Sequence, residues 1–250
     1  MITDNIPKNW KSLQDEVATI LKECNFNVET EKVISSIRSN IEIDVFAKEE
    51  IEGREYSILC ECKYWDTNIP QHVIHSFRTV LNDIGANIGY IISKRSFQKT
   101  AYDAVKSTNI KLCSYSDFLS EFETTWLKRY FTEEVTNKLG PLFSYAELLL
   151  PEWFPKMSED DQNEFIKLKE KYHIFSITLV HYTKVARMLD EEIPTLPLIE
   201  RLKPDPNLDK YIPTEILNIA TYREFLKLSL EYGQIAISKF RKYRDKYSDN

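Results

Sequence analysis

The first half of the chain changes repeatedly between helical and strand-like hydrophobic patterns. Leu13, Val17 and Leu21 recur at the spacing of one helix face, which predicts a leading helix with Ser12 as a candidate N-cap. Residues 25–34 then turn into a segment that we predict to be a strand. The chain therefore begins with a helix followed by extended structure.

Two further segments, 40–47 and 56–64, are rich in β-branched and aromatic residues and predict two more strands. The turn-prone residues 49–54 lie between them. Because so short a connection can only join neighbouring strands that run in opposite directions, we expect an antiparallel hairpin.

Three charged side chains interrupt the apolar pattern of this hairpin: Asp44 on its first strand, and Glu61 and Lys63 on its second. Strand alternation places Asp44 on the same face as Phe46 and places Ile43 on the opposite face. A charged side chain is costly to bury unless it is paired or binds a metal. An exposed Glu61–Lys63 ion pair would be the simpler interpretation. Two acids and one lysine on one sheet face, however, are the composition of a divalent-metal hydrolytic site.

The hydrophobic pattern then predicts four alternating elements. A helix begins at Pro70, where a missing N–H is harmless, and a buried strand, a second helix and a last short strand follow it. Ser93 or Ser96 is the expected N-cap of the second helix. The four segments are residues 70–81, 86–93, 94–106 and 110–114.

Beyond about residue 120 strand patterns stop and long helical patterns take over. A helix over 122–139 should end at Gly140-Pro141, and the last helix should be interrupted near Gly233. The remaining helices are predicted at 144–150, 158–192 and 214–247, with a connector that contains Pro194, Pro197, Pro204, Pro206 and Pro213. We therefore predict two domains, an α/β domain over residues 1–120 and an all-α domain over residues 121–250.

Asp44, followed after the hairpin by Glu61-Cys62-Lys63, resembles the D…(D/E)-x-K signature of the PD-(D/E)xK, or restriction-endonuclease-like, nucleases. The order of the surrounding elements is most similar to the Mrr-type restriction endonuclease domain. The resemblance implies a mixed β-sheet flanked by helices over residues 1–120. One departure is Ser39-Asn40, which stands where that family often has glycine; Asn tolerates a left-handed turn well.

The same resemblance implies a metal site and names its residues. Asp44, Glu61 and the backbone carbonyl of Cys62 would bind Mg²⁺, with Mn²⁺ as a substitute, and Lys63 would orient the attacking water. Glu42 would share the face of Asp44 and could assist a second metal ion. These residues imply hydrolysis of a phosphodiester bond.

Further site residues follow from the family's layout. Gln14 stands where the leading helix often supplies an acid, and Glu16 is the nearby alternative; both also suit a solvated helix face. Gln71 matches a polar position close to the metal or the scissile phosphate. His72 and His75 have no third metal ligand in view, so we interpret them as capping or surface residues.

Charge and cysteine content limit the other functions of the chain. The net charge is −6 and the pI is near 5.4, so any nucleic-acid contact requires a local basic patch. Lys94, Arg95 and Lys99 could contact a substrate phosphate at a helix N-terminus, or could simply face water. We expect the four cysteines to be buried, reduced thiols.

The last predicted helix is also basic, with Phe240, Tyr243 and Tyr247 between its cations. This pattern suits a nucleic-acid backbone, and it equally suits the C-terminal turns of a surface helix. The chain shows no signal peptide pattern and no long apolar run, so we expect a cytoplasmic protein without a membrane partner.

We therefore predict a Mg²⁺-dependent endodeoxyribonuclease that acts in restriction or antiviral defence. One alternative is a regulated or inactive nuclease-fold subunit whose helical domain binds a protein partner. A second alternative is an RNase or structure-specific nuclease with the same site. A homodimer would allow two sites to cut both strands, but the sequence does not determine the oligomeric state or the recognition sequence.

Overall fold

The computed structural model describes residues 1–35, 40–147, 149–202 and 208–248. Ser39, predicted in a turn, and Pro204 and Pro206, predicted in a connector, lie outside the described residues. The chain forms two compact units: the sheet unit, Asp4–Arg129, and the helical unit, which comprises Met1–Thr3 and Tyr130–Asn250. None of the described helices has the length and apolar character that spanning a bilayer demands.

The sheet unit contains a mixed sheet flanked by helices, which confirms the predicted fold class. The sheet described has five strands in the order β1-β2-β3-β4-β5, antiparallel up to β3 and parallel from β3 onwards. In chain order the elements are α1 (Trp10–Glu23), β1 (Asn27–Ser35), β2 (Asn40–Ile51), β3 (Arg54–Lys63), α2 (Gln71–Ile84), β4 (Ile88–Ser93), α3 (Lys99–Ala104), β5 (Ile110–Cys113) and α4 (Tyr115–Trp126).

The paired strands of the β2–β3 hairpin extend further towards the turn than the sequence indicated. Ile51 pairs with Arg54, so only Glu52 and Gly53 form the turn, and both have positive φ angles, 52° and 75°. Two left-handed residues match the twist of the flanking strands, which favours this short turn over a six-residue loop. The predicted antiparallel pairing of the two strands is confirmed.

Two predicted helix caps are wrong. Asn9, not Ser12, is the N-cap of α1; Ser12 is the third helical residue and completes a capping box with Asn9. Helix α3 begins at Lys99 with Gln98 as its N-cap. Residues 96–98 are unavailable for a helix because their backbone pairs with Ile69, which donates to the Ser96 carbonyl and accepts from Gln98, both at 3.0 Å.

The hydrophobic core on one side of the sheet lies against α2. Phe77 and Leu81 of this helix are buried against Leu59 of β3 and Ile91 of β4. Gly89 of β4 makes this close approach feasible, because an added Cβ would lie 2.5 Å from Phe77 Cε1 and 3.1 Å from Leu81 Cδ1. The helix therefore packs where the strand has no side chain.

We expect Gly89→Ala to lower the free energy of unfolding by about 1–3 kcal/mol, because the buried Phe77 ring must move to admit a methyl group. Urea denaturation would measure the change. Gly140→Ala is the matched control, since an added Cβ there meets nothing within 4 Å. Equal stability of the Gly89 variant and the wild type would contradict this account of the packing.

The helical unit, as described, contains only helices and connecting segments. Its α-helices are α5 (Thr132–Ala146), α6 (Glu159–Val180), α7 (Lys184–Met188), α8 (Leu198–Arg201), α9 (Thr214–Asn218) and α10 (Tyr222–Tyr247). A π-helical segment, Leu127–Phe131, runs from the end of the sheet unit into the start of the helical unit, and 3-10 turns span Phe154–Lys156 and Leu208–Lys210. Met1 and Ile2 join this unit because their carbonyls accept hydrogen bonds from the Tyr222 and Arg223 backbone.

Two predicted helix breaks in this unit are wrong. Helix α5 continues through Gly140 and Pro141 to Ala146, because Leu139 and Leu142 are both buried and their packing outweighs the local helix-breaking preference. Helix α10 is continuous through Gly233, where an added Cβ would lie 2.5 Å from Leu139 Cδ2. Gly233 therefore allows α5 to pack closely against α10 and does not interrupt α10.

Candidate active site

The hairpin brings the two predicted acids together at its open end. The β2–β3 register pairs Val45 with Cys60, and Asp44 and Glu61 are the next residue on each strand. The Asp44 carboxylate crosses to the neighbouring strand, where its Oδ2 accepts a hydrogen bond of 2.7 Å from the Cys62 N–H. The two carboxylates are close enough that the charge of Glu61 acts on Asp44.

Strand β2 does not alternate regularly at this point, contrary to the sequence-based expectation. Ile43 packs in the same buried cluster as Phe46 and Leu59, although Ile43 was expected on the opposite face from Phe46. In the β1–β2 register Ile43 pairs with Lys32, and Val45 pairs with Thr30. Glu31, which lies between these two pairs, has a left-handed φ of 53°. The local distortion turns both Ile43 and Phe46 towards the core.

Lys63 and Glu61 form an ion pair on strand β3. Their side chains are 20% and 24% exposed, so the pair is partly desolvated but still reached by solvent. The ammonium also lies 5.5 Å from the centroid of the Trp65 ring. Alternation on this strand therefore directs the acid and the lysine of the E-x-K segment to one surface.

The electrostatics of Asp44 fit a divalent cation. Burial raises the pKa of this carboxyl above its ordinary value, and the negative charge of Glu61 raises it further. The Cys62 N–H, the Lys63 ammonium and a hydrogen bond from the Trp10 side chain oppose the shift. A bound cation would offset the repulsion between the two carboxylates.

The available donors suit a hard metal ion with water ligands. In the described part of the chain, no group of three His, Cys, Asp or Glu side chains is close enough to hold a metal. A metal ion would therefore rely on two carboxylates, a backbone carbonyl and water. Mg²⁺ commonly binds through one or two carboxylates and retains several waters, so the residues present fit it.

Helix α1 holds the Asp44 strand through Gln14. This side chain is fully buried, its Nε2 donates to the Asp44 carbonyl at 2.8 Å, and its Oε1 accepts from Lys11 Nζ at 3.0 Å. The alternative residue, Glu16, bonds to Asn5 and to the Tyr115 hydroxyl. Of the two predicted helix residues, Gln14 is the one with an observed bond to the Asp44 backbone.

We expect Gln14→Met to lower the free energy of unfolding by about 1–3 kcal/mol, because the part-buried Asp44 carbonyl would lose its donor while the side-chain shape is kept. Urea denaturation would measure this loss. Asp15→Asn on the exposed face of the same helix is the control and should change stability little. Wild-type stability of Gln14→Met would show that this bond does not anchor the strand.

A cleft of about 280 Å³ opens beside the ion pair. Its wall includes Glu42, Trp65 and His72; His72 is exposed, which agrees with the expected surface position. The predicted Gln71 is not among the described residues that line the cleft. The spacing of His72, Ser76 and Val80 was a usable signal, since side chains at i, i+4 and i+8 share one helix face. The cleft is lined by Ile41, Glu42, Ile43, Glu61, Lys63, Trp65, His72, Val73, Ser76, Phe77 and Val80.

The three predicted phosphate-binding cations lie in and after the β4–α3 connection. Lys94 N–H donates to the Lys63 carbonyl at 3.0 Å, and Lys94 Nζ pairs with Asp66 at 2.7 Å. Arg95 is exposed, and Lys99 is the first residue of α3. Because Lys94 and Arg95 precede the helix, the expected first helical turn with three cations does not form.

Comparison with known proteins gives one family and two structures. Residues 8–121 match the family model Mrr_cat, described as restriction endonuclease. A protein of unknown function, AF1548, has 20% identity over 65% of this chain and 97% of its own, with a TM-score of 0.38. The DNA modification-dependent restriction endonuclease AspBHI has 8% identity over 45% of this chain and 35% of its own, with a TM-score of 0.31. No curated protein matches the chain significantly.

Proposed function

We propose, on the premise that residues 8–121 match the Mrr-type restriction endonuclease family model, that the protein is a Mg²⁺-dependent endonuclease that hydrolyses DNA phosphodiester bonds. The observation that carries the proposal is that the charges of Glu61 and Lys63 both act on Asp44, while Glu61 and Lys63 themselves line an open cleft. Asp44 is not among the described residues that line this cleft. This set combines two carboxylates for a cation with one ammonium for developing phosphate charge.

Asp44, Glu61 and the Cys62 carbonyl are the groups that we propose hold the metal ion. When bound, a divalent cation polarises the phosphodiester and lowers the pKa of a water molecule. The Cys62 N–H has a separate role, since it holds Asp44 Oδ2 in place. The buried Cys62 side chain takes no part in this chemistry.

Lys63 is the residue that we propose acts on the nucleophile and the phosphate. Its ammonium is held beside the carboxylates by Glu61, and it can donate hydrogen bonds to an attacking water and to a phosphate oxygen. A fixed cation at the position where negative charge develops stabilises the transition state without reorganisation. Water attack on phosphorus would then displace one ester oxygen as the leaving group.

The remaining predicted residues take supporting roles in the proposal. Gln14 positions the Asp44 strand, and His72 on α2 lines the cleft near Glu61 and Lys63. Lys94, Arg95 and Lys99 are candidates for substrate phosphate contacts, of which Lys94 is tied by its backbone to Lys63. Gln71 and Glu16 remain candidates from the family pattern alone.

Incubation of the purified protein with supercoiled plasmid and with RNA tests the proposal. We expect Mg²⁺ or Mn²⁺ to support nicking and linearisation of plasmid, and EDTA to abolish both. Cleavage of RNA but not DNA would favour the RNase alternative. Absence of cleavage by the folded protein, with no metal-induced rise in its melting temperature, would favour the interaction-subunit alternative.

We also propose that cleavage serves restriction or antiviral defence in the cell. The family match of residues 8–121 supports this role. Plating of phage on cells that express either the wild type or an inactive variant tests it, since defence requires fewer plaques only with the active protein. A protein partner of the helical unit and a homodimer remain predictions.

A further inference from the structure

The helical unit contains a lysine-lined groove far along the chain from the candidate active site. It has a volume of about 550 Å³ and lies between side chains of α6 and α10. Five lysines and two acids line it, which leaves three net positive charges in a chain of net charge −6. The lining residues are Asp161, Glu164, Lys167, Leu168, Lys171, Lys239, Lys242, Tyr243 and Lys246.

Ion pairing accounts for two of the five lysines. Lys246 Nζ lies 2.6 Å from Asp161, which also bonds to the Tyr247 hydroxyl, and Lys167 Nζ lies 3.2 Å from Glu164. The other three have no carboxylate partner among the described residues. These three, called the unpaired lysines below, are Lys171, Lys239 and Lys242.

Aromatic contacts join the two helices that form the groove. Phe165 of α6 contacts Phe240 and Tyr243 of α10, with ring centroids 5.5 and 5.7 Å apart. Lys171 lies one turn after Lys167, and Lys242 lies one turn after Lys239, so each helix presents its cations on one face. Packing of the rings therefore fixes two rows of like charge side by side.

The unpaired lysines on the two helices repel each other, and an anion that binds between them would offset this repulsion. Lysine is a point-charge donor that suits phosphate without a defined orientation, whereas bidentate reading of a base or carboxylate favours arginine. The lining has only Leu168 and Tyr243 as large apolar or aromatic groups. This composition fits a phosphodiester backbone better than an apolar peptide or the acyl region of a membrane.

We propose that the groove between α6 and α10 binds the sugar–phosphate backbone of duplex DNA and so recruits substrate to the protein. The identification of the polyanion as DNA rests on the proposed nuclease function, whereas the inference that the groove binds a polyanion does not. From Lys239 to Lys246 the helix rises about 10 Å, over which one strand of B-DNA advances by roughly three phosphates along the duplex axis. Contacts to phosphate carry no base information, so we expect binding to be independent of base sequence.

Fluorescence anisotropy with a labelled 30-base-pair duplex in EDTA tests binding without cleavage. The variant Lys171→Gln/Lys239→Gln/Lys242→Gln removes the unpaired lysines. The charge-matched control, Lys138→Gln/Lys184→Gln/Lys227→Gln, removes three lysines of the same unit that already pair with Glu134, Glu133 and Glu224. Thermal melting of both variants confirms that each is folded.

We expect the groove variant to bind at least tenfold more weakly at low salt, because each phosphate contact contributes to affinity in proportion to the counterions released. The slope of log K against log salt concentration should become less steep by about two to three, while the control keeps the wild-type slope. Equal loss in both variants, or no loss in either, would overturn the proposal. Tighter binding of the wild type to phosphatidylserine vesicles than to duplex would overturn DNA as the occupant.

The outcome is separable from that of the nuclease proposal. Wild-type protein that binds duplex through the unpaired lysines but never cleaves it in Mg²⁺ would contradict the nuclease and support the groove. Protein that cleaves plasmid while the groove variant binds and cleaves like the wild type would support the nuclease and overturn the groove.

Discussion

Replacement of Lys63 by methionine should reduce DNA cleavage by about 10²–10⁴-fold in a protein that remains folded. The ammonium is the cation that pairs with Glu61 and acts on Asp44, and methionine keeps the length of the side chain without the charge. Loss of the charge removes both orientation of water and stabilisation of the phosphate. Time courses of plasmid linearisation in Mg²⁺ would measure the effect.

Lys106→Met is the matched control for this prediction. Lys106 is exposed, lies just after α3 and pairs only with Asp103 among the described residues, so its loss should leave cleavage unchanged. Cleavage by Lys63→Met at the wild-type rate would mean that another site or a contaminant is responsible. The proposed role of Lys63 would then be withdrawn.

Asp44→Asn should abolish metal-dependent cleavage, by about 10³-fold or more, and should also make the metal-free protein more stable at neutral pH. Asparagine keeps an oxygen that can accept the Cys62 N–H, so the strand contact survives. The substitution removes a charge that burial and Glu61 both disfavour. Opposite effects on activity and stability are expected where a site is organised for a ligand.

The pH dependence follows from the direction of the Asp44 shift. Because its pKa is raised in the folded state, the folded protein holds this proton more tightly than the unfolded chain does. Stability contributed by this group is therefore lost as pH rises from the ordinary Asp value through the raised value. Metal binding, in contrast, becomes more favourable as pH rises, because it requires the deprotonated carboxylate.

Urea denaturation in EDTA across this pH range would compare the wild type with Asp44→Asn. The stability advantage of the variant should grow with pH, and Mg²⁺ should raise the melting temperature of the wild type only. Asp66→Asn is the control, because Lys94 lowers the pKa of that exposed carboxyl and its neutralisation should bring no gain. A variant of Asp44 that still binds Mg²⁺ would remove this carboxylate from the proposed metal site.

The hairpin shows how far local sequence could predict the candidate site. Strands around Asp44 and around Glu61 and Lys63 were predictable, because β-branched residues and a turn segment specify them locally. The distortion that places Ile43 in the same cluster as Phe46 could not be predicted locally, because it depends on pairing with β1, which lies more than ten residues away in the chain. The cleft beside Lys63 likewise exists only once α2 packs on the sheet.

The helical unit shows where local rules failed. Gly140, Pro141 and Gly233 all predicted helix breaks, yet each lies within a continuous helix. Propensity differences of about 1–3 kcal/mol per residue are overcome when a helix buries several large side chains. In α10, the glycine is required for the close approach of Leu139, a partner that is distant in sequence.

The amino-acid sequence by itself determined the order of elements in the sheet unit and the types of residue available for chemistry, because side-chain periodicity and turn preference are local properties. Tertiary structure alone decided which of those residues meet. It joined Gln14 to the Asp44 backbone, placed His72 in the cleft wall, and set the lysines of α6 beside those of α10. Such contacts join residues far apart in the chain, and packing fixes them only when the whole unit has folded.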